Sequence, residues 1–461
     1  RADVSVSELA RLHEQFGVRR VRILTESGGL CVVNVPAGLT VRDLVGLYEK
    51  SGLVDYAEPD YRVRLSGNSP NDPKFLDGSL WGLHNRGDED DEQAGPDIHA
   101  LEAWKTRRTA ERIVVAVVDT GVRYTHQDLA ENMWVDSATG GHGVNVLSGS
   151  NDPMDDNGHG TLMAGILGAV GDNGIGSVGV AWKVQIMACK FVNRYGEGAI
   201  SDAVACIDFA RNKGAQIINA SWGVDDYSRA LFDGIRRMHD SGIIVVAAAG
   251  NGTRDLDKSP YYPASYDLAN IVCVAATTRN DELLFVSNYG SKSVDLGAPG
   301  EQILSTSYMA DDQYSTDSGS SSSAAAFVSG AFALMRARYP LEDHLATIRR
   351  VIESTDSVRA LKGRSVTGGR LNLRKALGPP VAAPKFWFRL GEEPLTLRMV
   401  VAGEPGLVYV VEASSDLVIW KAIYRKTVTE TETFLVPRII NLRNKPEFFR
   451  VFSMGTVSTD E

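Results

Sequence analysis

Short, uninterrupted apolar runs alternate with helical patterns across residues 75–378, and this alternation limits the possible folds more than any other feature. Strands that are apolar throughout are buried on both faces, which requires helices on each side of a parallel sheet. We therefore predict an α/β domain whose parallel sheet is flanked by helices. The predicted strands are residues 113–118, 184–191, 217–220, 243–248 and 271–275, and the predicted helices are residues 199–213 and 231–241.

Residues 1–66 predict a separate, small α+β unit of ferredoxin-like type. Ser5 and Glu8 have the spacing of a capping box before an amphipathic stretch, and Thr40 and Asp43 repeat the signal. Strand patterns are expected at residues 20–24, 30–35 and 54–63. The polar segment 66–73, rich in proline and glycine, predicts an exposed linker and a cleavage site.

The pattern changes to a period of two after Pro379 and Pro380, without intervening helices. This periodicity predicts a small antiparallel β-sandwich over residues 379–461 and leaves residues 67–378 to the α/β domain. The expected strands are residues 386–390, 395–401, 408–412, 434–439 and 448–452.

Composition excludes several classes of protein. A hydrophobic fraction of 43% and a charged fraction of 23% are those of a globular protein rather than a disordered chain. The net charge of -10 argues against a nucleic-acid partner, and no apolar run is long enough to span a bilayer. The sequence begins with Arg1 and lacks an apolar leader, so a signal peptide is either absent or removed.

The cysteines lack the spacing of a metal site. Apolar surroundings favour buried thiols, and a disulfide between Cys189 and Cys206 is the alternative interpretation. The sequence contains Cys31, Cys189, Cys206 and Cys273.

Two segments carry candidate acid and base groups. Asp119 ends an apolar strand and is followed by Thr-Gly, at the sheet edge where ligands of α/β proteins bind. His159 stands between glycines where a helical run begins, and its ordinary pKa near 6.5 suits a general base. A capping aspartate and a surface histidine are the simpler interpretations of each segment taken alone.

Two further segments carry candidate groups for acyl transfer. Asn251 follows another apolar strand and can donate to an oxyanion, while Ala249 and Gly250 leave space for a substrate side chain. Residues 318–330 form a serine run that enters an alanine-rich helix, where backbone N–H groups favour a nucleophile. A turn asparagine and a helix cap or linker are the alternatives.

Together these segments resemble the subtilisin-like serine proteases (subtilases), continuously from about residue 75 to 378. The motifs are Asp-Thr-Gly at 119–121 and His-Gly-Thr at 159–161, and Leu162 stands where the family commonly has histidine. The resemblance implies a triad of Asp119, His159 and a serine, with Asn251 in the oxyanion hole.

The serine segment departs from the family pattern Gly-Thr-Ser-Met-Ala-x-Pro-His and is one residue longer. Alignment backward from residues 327–330 makes Ser322 the nucleophile, whereas alignment forward from Tyr314 makes it Ser321. We favour Ser322, because a packed helix keeps its register better than the loop before it.

The resemblance also implies binding sites. Two strands that clamp an extended peptide are implied at Gly196, Glu197, Gly198, Ser221, Trp222 and Gly223. A structural calcium ion is implied at Asp128, Gly171, Asn173, Ile175 and Ser177, with a plain turn as the alternative. No cofactor is expected for catalysis.

Residues 1–66 resemble the family's inhibitory propeptide, whose tail occupies the active-site cleft. The opening strand of that propeptide is missing from our interpretation, so we expect the sequence to start inside it. The C-terminal region resembles β-sandwich modules appended to secreted bacterial enzymes.

We therefore predict a secreted or periplasmic serine endopeptidase, made as a self-processing zymogen, that acts on polypeptides and is inhibited by its own propeptide. One alternative is a catalytically impaired subtilase that serves as a binding module. The other is an aspartic protease that uses Asp119 and Asp317, each of which begins an Asp-Thr/Ser-Gly motif.

Overall fold

A computed structural model describes most of the chain, which divides into two compact units, Arg1–Gly67 and Asn68–Glu461. The described residues are 4–19, 21–24, 30–59, 69–87, 95–378, 385–390, 396–403, 407–414, 421–428, 432–441 and 448–455.

The first unit contains two helices and an antiparallel strand pair in its described part. Both predicted capping boxes are confirmed, with Ser5 and Thr40 each accepting from the backbone three residues on. Leu12 and Tyr48 belong to the core between the helices. The elements are α1 (Val6–Gln15), β1 (Val21–Leu24), β2 (Leu30–Val33) and α2 (Val41–Ser51).

The predicted strand over residues 54–63 is wrong for residues 54–59, and residues 60–63 lie outside the described part. Val54 and Ala57 pack against the core of the unit, but their backbone does not join the β1–β2 pair. Tyr56 is 59% exposed, and Pro59 has no N–H to give to a ladder. Alternating apolar residues therefore predicted a strand, whereas residues 54–59 form a loop that covers the core of this unit.

The described part of the second unit contains a nine-stranded sheet with strand order β12-β13-β9-β8-β7-β6-β3-β5-β4. All its pairs are parallel except β12 with β13. The helices are α3 (Pro73–Leu76), α4 (Ala100–Ala103), α5 (His159–Gly168), α6 (Ile200–Asn212), α7 (Arg229–Asp240), α8 (Ser321–Arg338), α9 (His344–Glu353) and α10 (Leu373–Leu377). The strands are β3 (Thr109–Asp119), β4 (Gly143–Asn145), β5 (Lys183–Lys190), β6 (Ile217–Ala220), β7 (Ile244–Ala248), β8 (Ile271–Thr277), β9 (Leu296–Pro299), β10 (Glu301–Thr306), β11 (Tyr314–Gly319), β12 (Asp356–Ser357) and β13 (Gly369–Arg370). Strands β10 and β11 form a separate antiparallel hairpin.

Strand β3 shows why its sequence is apolar throughout. Val115 and Val117 pack in the core that contains α5 and α8, whereas Ala116 and Val118 pack in the core that contains α6 and α7. Both faces of the strand are therefore covered by helices, and the predicted α/β architecture is confirmed.

The predicted linker is wrong at its C-terminal end. Pro70 and Asp72 are buried, and α3 begins at Pro73, where proline suits the first position of a helix. The carboxylate of Asp72 is buried and accepts from the backbone of Asp172 and Asn173, whereas Ser69, Asn71 and Pro73 are exposed.

The described C-terminal residues form two three-stranded antiparallel sheets, ordered β14-β15-β18 and β17-β16-β19. Side chains of both sheets, including Met399, Tyr409 and Phe434, share one buried cluster. Of these strands, β17 was not predicted from the sequence. They are β14 (Lys385–Leu390), β15 (Thr396–Gly403), β16 (Leu407–Ser414), β17 (Lys421–Val428), β18 (Glu432–Asn441) and β19 (Phe448–Gly455).

Cys189, Cys206 and Cys273 are buried thiols, and the alternative disulfide between the first two is not formed. Burial raises the pKa of all three thiols. Among the described helices, none has the length and apolarity needed to cross a bilayer.

Candidate functional site

The sheet register brings the candidate segments to one edge. Val117 pairs with Asn219 in the parallel ladder of β3 and β6, so Asp119, the last residue of β3, and Ser221, the first residue after β6, lie at the same level. Ala220 pairs with Ala247, which places Asn251 beyond the end of the next strand, β7. The carboxyl ends of three adjacent strands thus carry a carboxylate, a hydroxyl and an amide.

Asp119 and His159 form a direct pair. The Nδ1 atom of His159 lies 2.8 Å from one carboxylate oxygen of Asp119 and 2.9 Å from the other. The Asp119 side chain is 3% exposed and that of His159 is 38% exposed. A buried carboxylate therefore holds Nδ1 protonated and leaves Nε2 of the imidazole to act as a base.

Glycines at the strand end and the helix start allow this approach. A Cβ on Gly160 would lie 2.1 Å from the carbonyl oxygen of Gly121, and the N–H of Gly160 donates to Thr120 Oγ1 at 2.9 Å. Gly121 has φ 103°, which favours glycine. The backbone of Gly160 packs directly against the backbone of Gly121. A side chain at residue 160 would therefore push His159 away from Asp119.

Asp155 fixes the loop before His159, a role that the sequence analysis missed. Its carboxylate accepts from the N–H groups of Asn157, Gly158 and Thr161 and from the Thr161 hydroxyl at 2.6 Å. Asp155 precedes the N-cap residue Gly158, and its bonds to Gly158 and Thr161 hold the loop and the first turn of α5, on which His159 lies.

Burial lowers the pKa of His159, but the charge of Asp119 and its hydrogen bond outweigh this effect, and Asp317 and Asp155 add to it. The net result raises the pKa of His159 from 6.5 to about 9. The neutral, proton-accepting imidazole is therefore favoured by alkaline conditions.

Ser321 is fully buried and its hydroxyl is already used twice. Its Oγ accepts from the N–H of Gly250 at 2.9 Å and donates to Asn251 Oδ1 at 3.0 Å. Its own N–H also donates to Asn251 Oδ1, at 2.9 Å. Ser321 thus joins the first turn of α8 to the chain after β7.

Ser322 is 6% exposed and makes reciprocal contacts with Ser221. The Ser322 hydroxyl donates to the carbonyl of Ser221 at 3.1 Å, and the Ser221 hydroxyl donates to the carbonyl of Ser322 at 3.0 Å. Since Ser221 directly follows β6, the neighbour of β3, these contacts bring the Ser322 hydroxyl to the sheet edge where β3 ends at Asp119, the partner of His159.

The side chain of Asn251 is exposed, and its oxygen faces Ser321. The amide N–H₂ therefore remains available to a ligand in the cleft. Buried Asn288 supports this arrangement by donating to Ala249 O and accepting from the N–H groups of Gly252 and Arg254. No motif pointed to Asn288, because its partners are backbone atoms of a distant loop.

The two predicted peptide-binding segments flank this edge. Gly198 bridges Val192 in antiparallel fashion, so residues 192–198 form a tight reversal that displays Glu197. On the other segment, Trp222 donates from its indole nitrogen to the carbonyl of Val118 at 2.8 Å. Both segments lie next to the strand end that carries Asp119.

Lys190 is a buried cation, 3% exposed, at the end of β5. Its ammonium donates to the carbonyls of Thr120 and Val192 and to Asp156, the last at 2.7 Å. It thus connects the residue after Asp119 with the start of the 192–198 reversal. The place of Lys190 in the sequence, at the end of an apolar strand, did not predict this role.

Asp72, which the sequence analysis assigned to a linker, lies against the loop that is predicted to bind calcium. Asp72 and Asp128 are both fully buried and lie close enough for their charges to interact. Burial raises the pKa of Asp72 to about 6, an effect that hydrogen bonds oppose and the charge of Asp128 reinforces. Asp128 accepts from the Asn173 amide, the N–H of Ser177 and the Tyr314 hydroxyl.

Comparison with known proteins places these features in context. The sequence model of the subtilase family matches residues 110–378, and that of the fervidolysin N-terminal prodomain matches residues 2–60. A thermophilic serine proteinase of Bacillus sp. (strain AK1) is 32% identical over 380 residues, covering 81% of this chain and 84% of the relative. Thermitase of Thermoactinomyces vulgaris is 33% identical over 310 residues, covering 67% of this chain and 99% of the relative. Among solved structures, a protease of Pseudoalteromonas arctica aligns with a TM-score of 0.56 and 26% identity, covering 67% of this chain and 98% of that one.

Proposed function

Because this chain belongs to the subtilase family of serine proteases and carries an N-terminal prodomain, we propose that it is a secreted endopeptidase whose triad is Asp119, His159 and Ser322. The observation that carries the triad assignment is the bond of His159 Nδ1 to Asp119 at 2.8 Å. The Ser322 hydroxyl, at the start of α8, donates to the carbonyl of Ser221, which follows the strand next to β3.

In the proposed mechanism the Ser322 hydroxyl attacks a peptide carbonyl and passes its proton to Nε2 of His159. Asp119 fixes the tautomer and stabilises the imidazolium that forms. The Asn251 amide and the backbone N–H of Ser322 donate to the oxyanion. His159 then protonates the leaving amine, and water releases the acyl group from Ser322 by the reverse sequence.

Ser322 is preferred to Ser321 on the basis of hydrogen bonding. The Ser321 hydroxyl both accepts and donates within the protein, and a nucleophile must exchange such bonds for one to histidine. The Ser322 hydroxyl makes a single bond, to the backbone carbonyl of Ser221. A rotation about χ1 breaks that bond and frees the hydroxyl to donate to His159.

Active-site labelling tests the function as a whole. We expect a fluorophosphonate to label the protein on Ser322, with loss of hydrolysis of an unfolded protein substrate, and pepstatin to have no effect. The aspartic-protease alternative already fails on contacts, because Asp119 pairs with His159 while Asp317 accepts from Ser320 and Ser323. A folded protein that neither labels nor hydrolyses would instead support the binding-module alternative.

Replacing Asn251 tests the oxyanion hole. We expect Asn251→Ala to lower kcat by roughly 100- to 1000-fold with little change in KM, a magnitude known from a subtilisin rather than derived from this structure. Steady-state kinetics of a peptide ester give both constants. Asn280→Ala, at an exposed site, serves as the control. A rise in KM at unchanged kcat would assign Asn251 to ground-state binding instead.

The buried pair of Asp72 and Asp128 fits a structural calcium ion. Two carboxylates without exposure to water cost free energy unless a cation offsets their repulsion, and oxygen ligands suit a hard cation. Asp72, Asp128 and oxygens of the loop from Gly171 to Ser177 would hold the ion. Its effect would be on stability, since no step of catalysis requires it.

Calcium is therefore expected to raise thermal stability. At a free concentration about 100-fold above Kd, binding adds about 2.7 kcal/mol, or a Tm shift of roughly 5 °C. Thermal unfolding in excess calcium and in EGTA measures the shift. Asp72→Asn should remove most of it, whereas Asp226→Asn, at an exposed carboxylate, should retain it. Equal Tm values in calcium and EGTA would contradict the site.

A further inference from the structure

The serine run that departs from the family pattern holds a carboxylate at the start of α8. Asp317 accepts from the hydroxyls of Ser320 and Ser323, both at 2.6 Å, and from the N–H of Gly319 at 3.3 Å. Its side chain is half-buried at the end of the β10–β11 hairpin. Hydroxyl groups that are not used as nucleophile thus position a negative charge.

Ser320 and Ser323 lie on either side of the proposed nucleophile Ser322, so their two bonds hold the Asp317 carboxylate next to the turn that carries it. The same charge also influences His159. Burial lowers and Asp119 raises the pKa of His159, and the charge of Asp317 is a further cause of the rise. Three carboxylates thus raise the pKa of His159: Asp119 at the end of β3, Asp155 in the loop before the imidazole and Asp317 in β11. Of the neighbouring cations, Lys190 is buried and bonded to Asp156, and Arg123 is bonded to Asp311 and to the carbonyl of Tyr308.

The position of His159 makes this charge relevant to substrates. In the mechanism proposed above, the imidazole donates a proton to the leaving amine, so residues flanking the scissile bond pass beside it. A fixed charge that is hydrogen-bonded to residues on either side of the proposed nucleophile acts on a substrate side chain bound there, attracting a cation and repelling an anion.

We propose that Asp317 is a specificity-determining residue, a fixed negative charge that favours peptides with a basic side chain next to the scissile bond over peptides with an acidic one. The inference rests on the proposed function, since it concerns substrates of the same site. It extends that function by naming a substrate class.

Paired peptides that differ only by Lys or Glu next to the cleaved bond test the proposal. We expect the wild-type ratio of kcat/KM, Lys over Glu, to exceed that of Asp317→Asn by about threefold to tenfold, the range for a partly exposed ion pair. Asparagine retains an acceptor for the serine hydroxyls. Asp312→Asn, which removes one charge from the connection between β10 and β11 of the same hairpin, should keep the wild-type ratio.

Two further readouts separate charge from structure. The pH at which kcat/KM is half-maximal should fall in Asp317→Asn, because removing a negative charge lowers the pKa of His159. The wild-type preference should also shrink between 0.1 M and 1 M NaCl, as the Debye length falls from about 10 to 3 Å. This second measurement needs no variant, so it stands even where Asp317→Asn does not fold.

An unchanged Lys-to-Glu ratio in folded Asp317→Asn, or a wild-type ratio independent of salt, would overturn the inference while fluorophosphonate labelling keeps the proposed function intact. Wild-type protein that neither labels nor hydrolyses would overturn both.

Discussion

Replacing Ser322 by alanine is expected to abolish hydrolysis and to leave the prodomain uncleaved. Without the hydroxyl no acyl-enzyme forms, and what remains is binding and oxyanion stabilisation. We expect kcat to fall by at least about 10⁴-fold, a bound set by the losses measured for a subtilisin triad rather than by this structure. Peptide kinetics and electrophoresis of the freshly made precursor measure the two effects.

Ser321→Ala is the matched control, since it removes one hydroxyl from the adjacent residue. It leaves the N–H of Gly250 without its acceptor and frees Asn251 Oδ1 from one donor. Such a loss costs about 1–3 kcal/mol of stability, with a moderate decrease in kcat. An inactive Ser321→Ala beside an active Ser322→Ala would make Ser321 the nucleophile. Activity in both variants would remove the serine mechanism altogether.

The residues that sequence reasoning found share a position. Asp119 ends an apolar strand, and Ser221 and Asn251 each follow one. The carboxyl ends of parallel strands lie at one edge of the sheet, whatever loops connect them. Their meeting place follows from the pairing of β3, β6 and β7. Strand positions could not decide between Ser321 and Ser322. The alignment from the helix and the alignment from the preceding loop differ by one residue at this point.

The residues that sequence reasoning missed act through backbone atoms or buried charge. Lys190 and Asn288 donate to carbonyls of segments far away in the chain, and no spacing in the sequence encodes such contacts. Asp72 was assigned to a linker because its neighbours are polar, yet it is fully buried against the loop that contains Asn173. Local composition describes solvent exposure only where no distant segment covers the chain.

The prediction for residues 54–59 failed for a related reason. Alternating apolar residues show that one face of a segment is covered, and both a strand and a covering loop satisfy that condition. Val54 and Ala57 reach the core without a ladder partner among β1 and β2. Capping boxes, by contrast, are local, and both were predicted correctly at Ser5 and Thr40.

Asp119→Asn is expected to lower kcat by about 10⁴-fold while leaving the fold and KM nearly unchanged. The amide can donate to Nδ1 of His159, which would place the proton on Nε2 and remove the base. The charge of Asp119 is also the largest cause that raises the pKa of His159 against burial. Its loss should therefore move the residual pH profile to lower pH.

The wild-type profile supplies the reference for that shift. With the pKa of His159 raised from 6.5 to about 9, kcat/KM should rise with pH as the imidazole loses its proton, and the midpoint should lie on the alkaline side of 6.5. In Asp119→Asn the midpoint should lie below that of the wild type, whereas Asp226→Asn should match the wild type. A residual activity whose midpoint does not move would mean that a group other than His159 accepts the proton, and the Asp119–His159 pair would then be structural only.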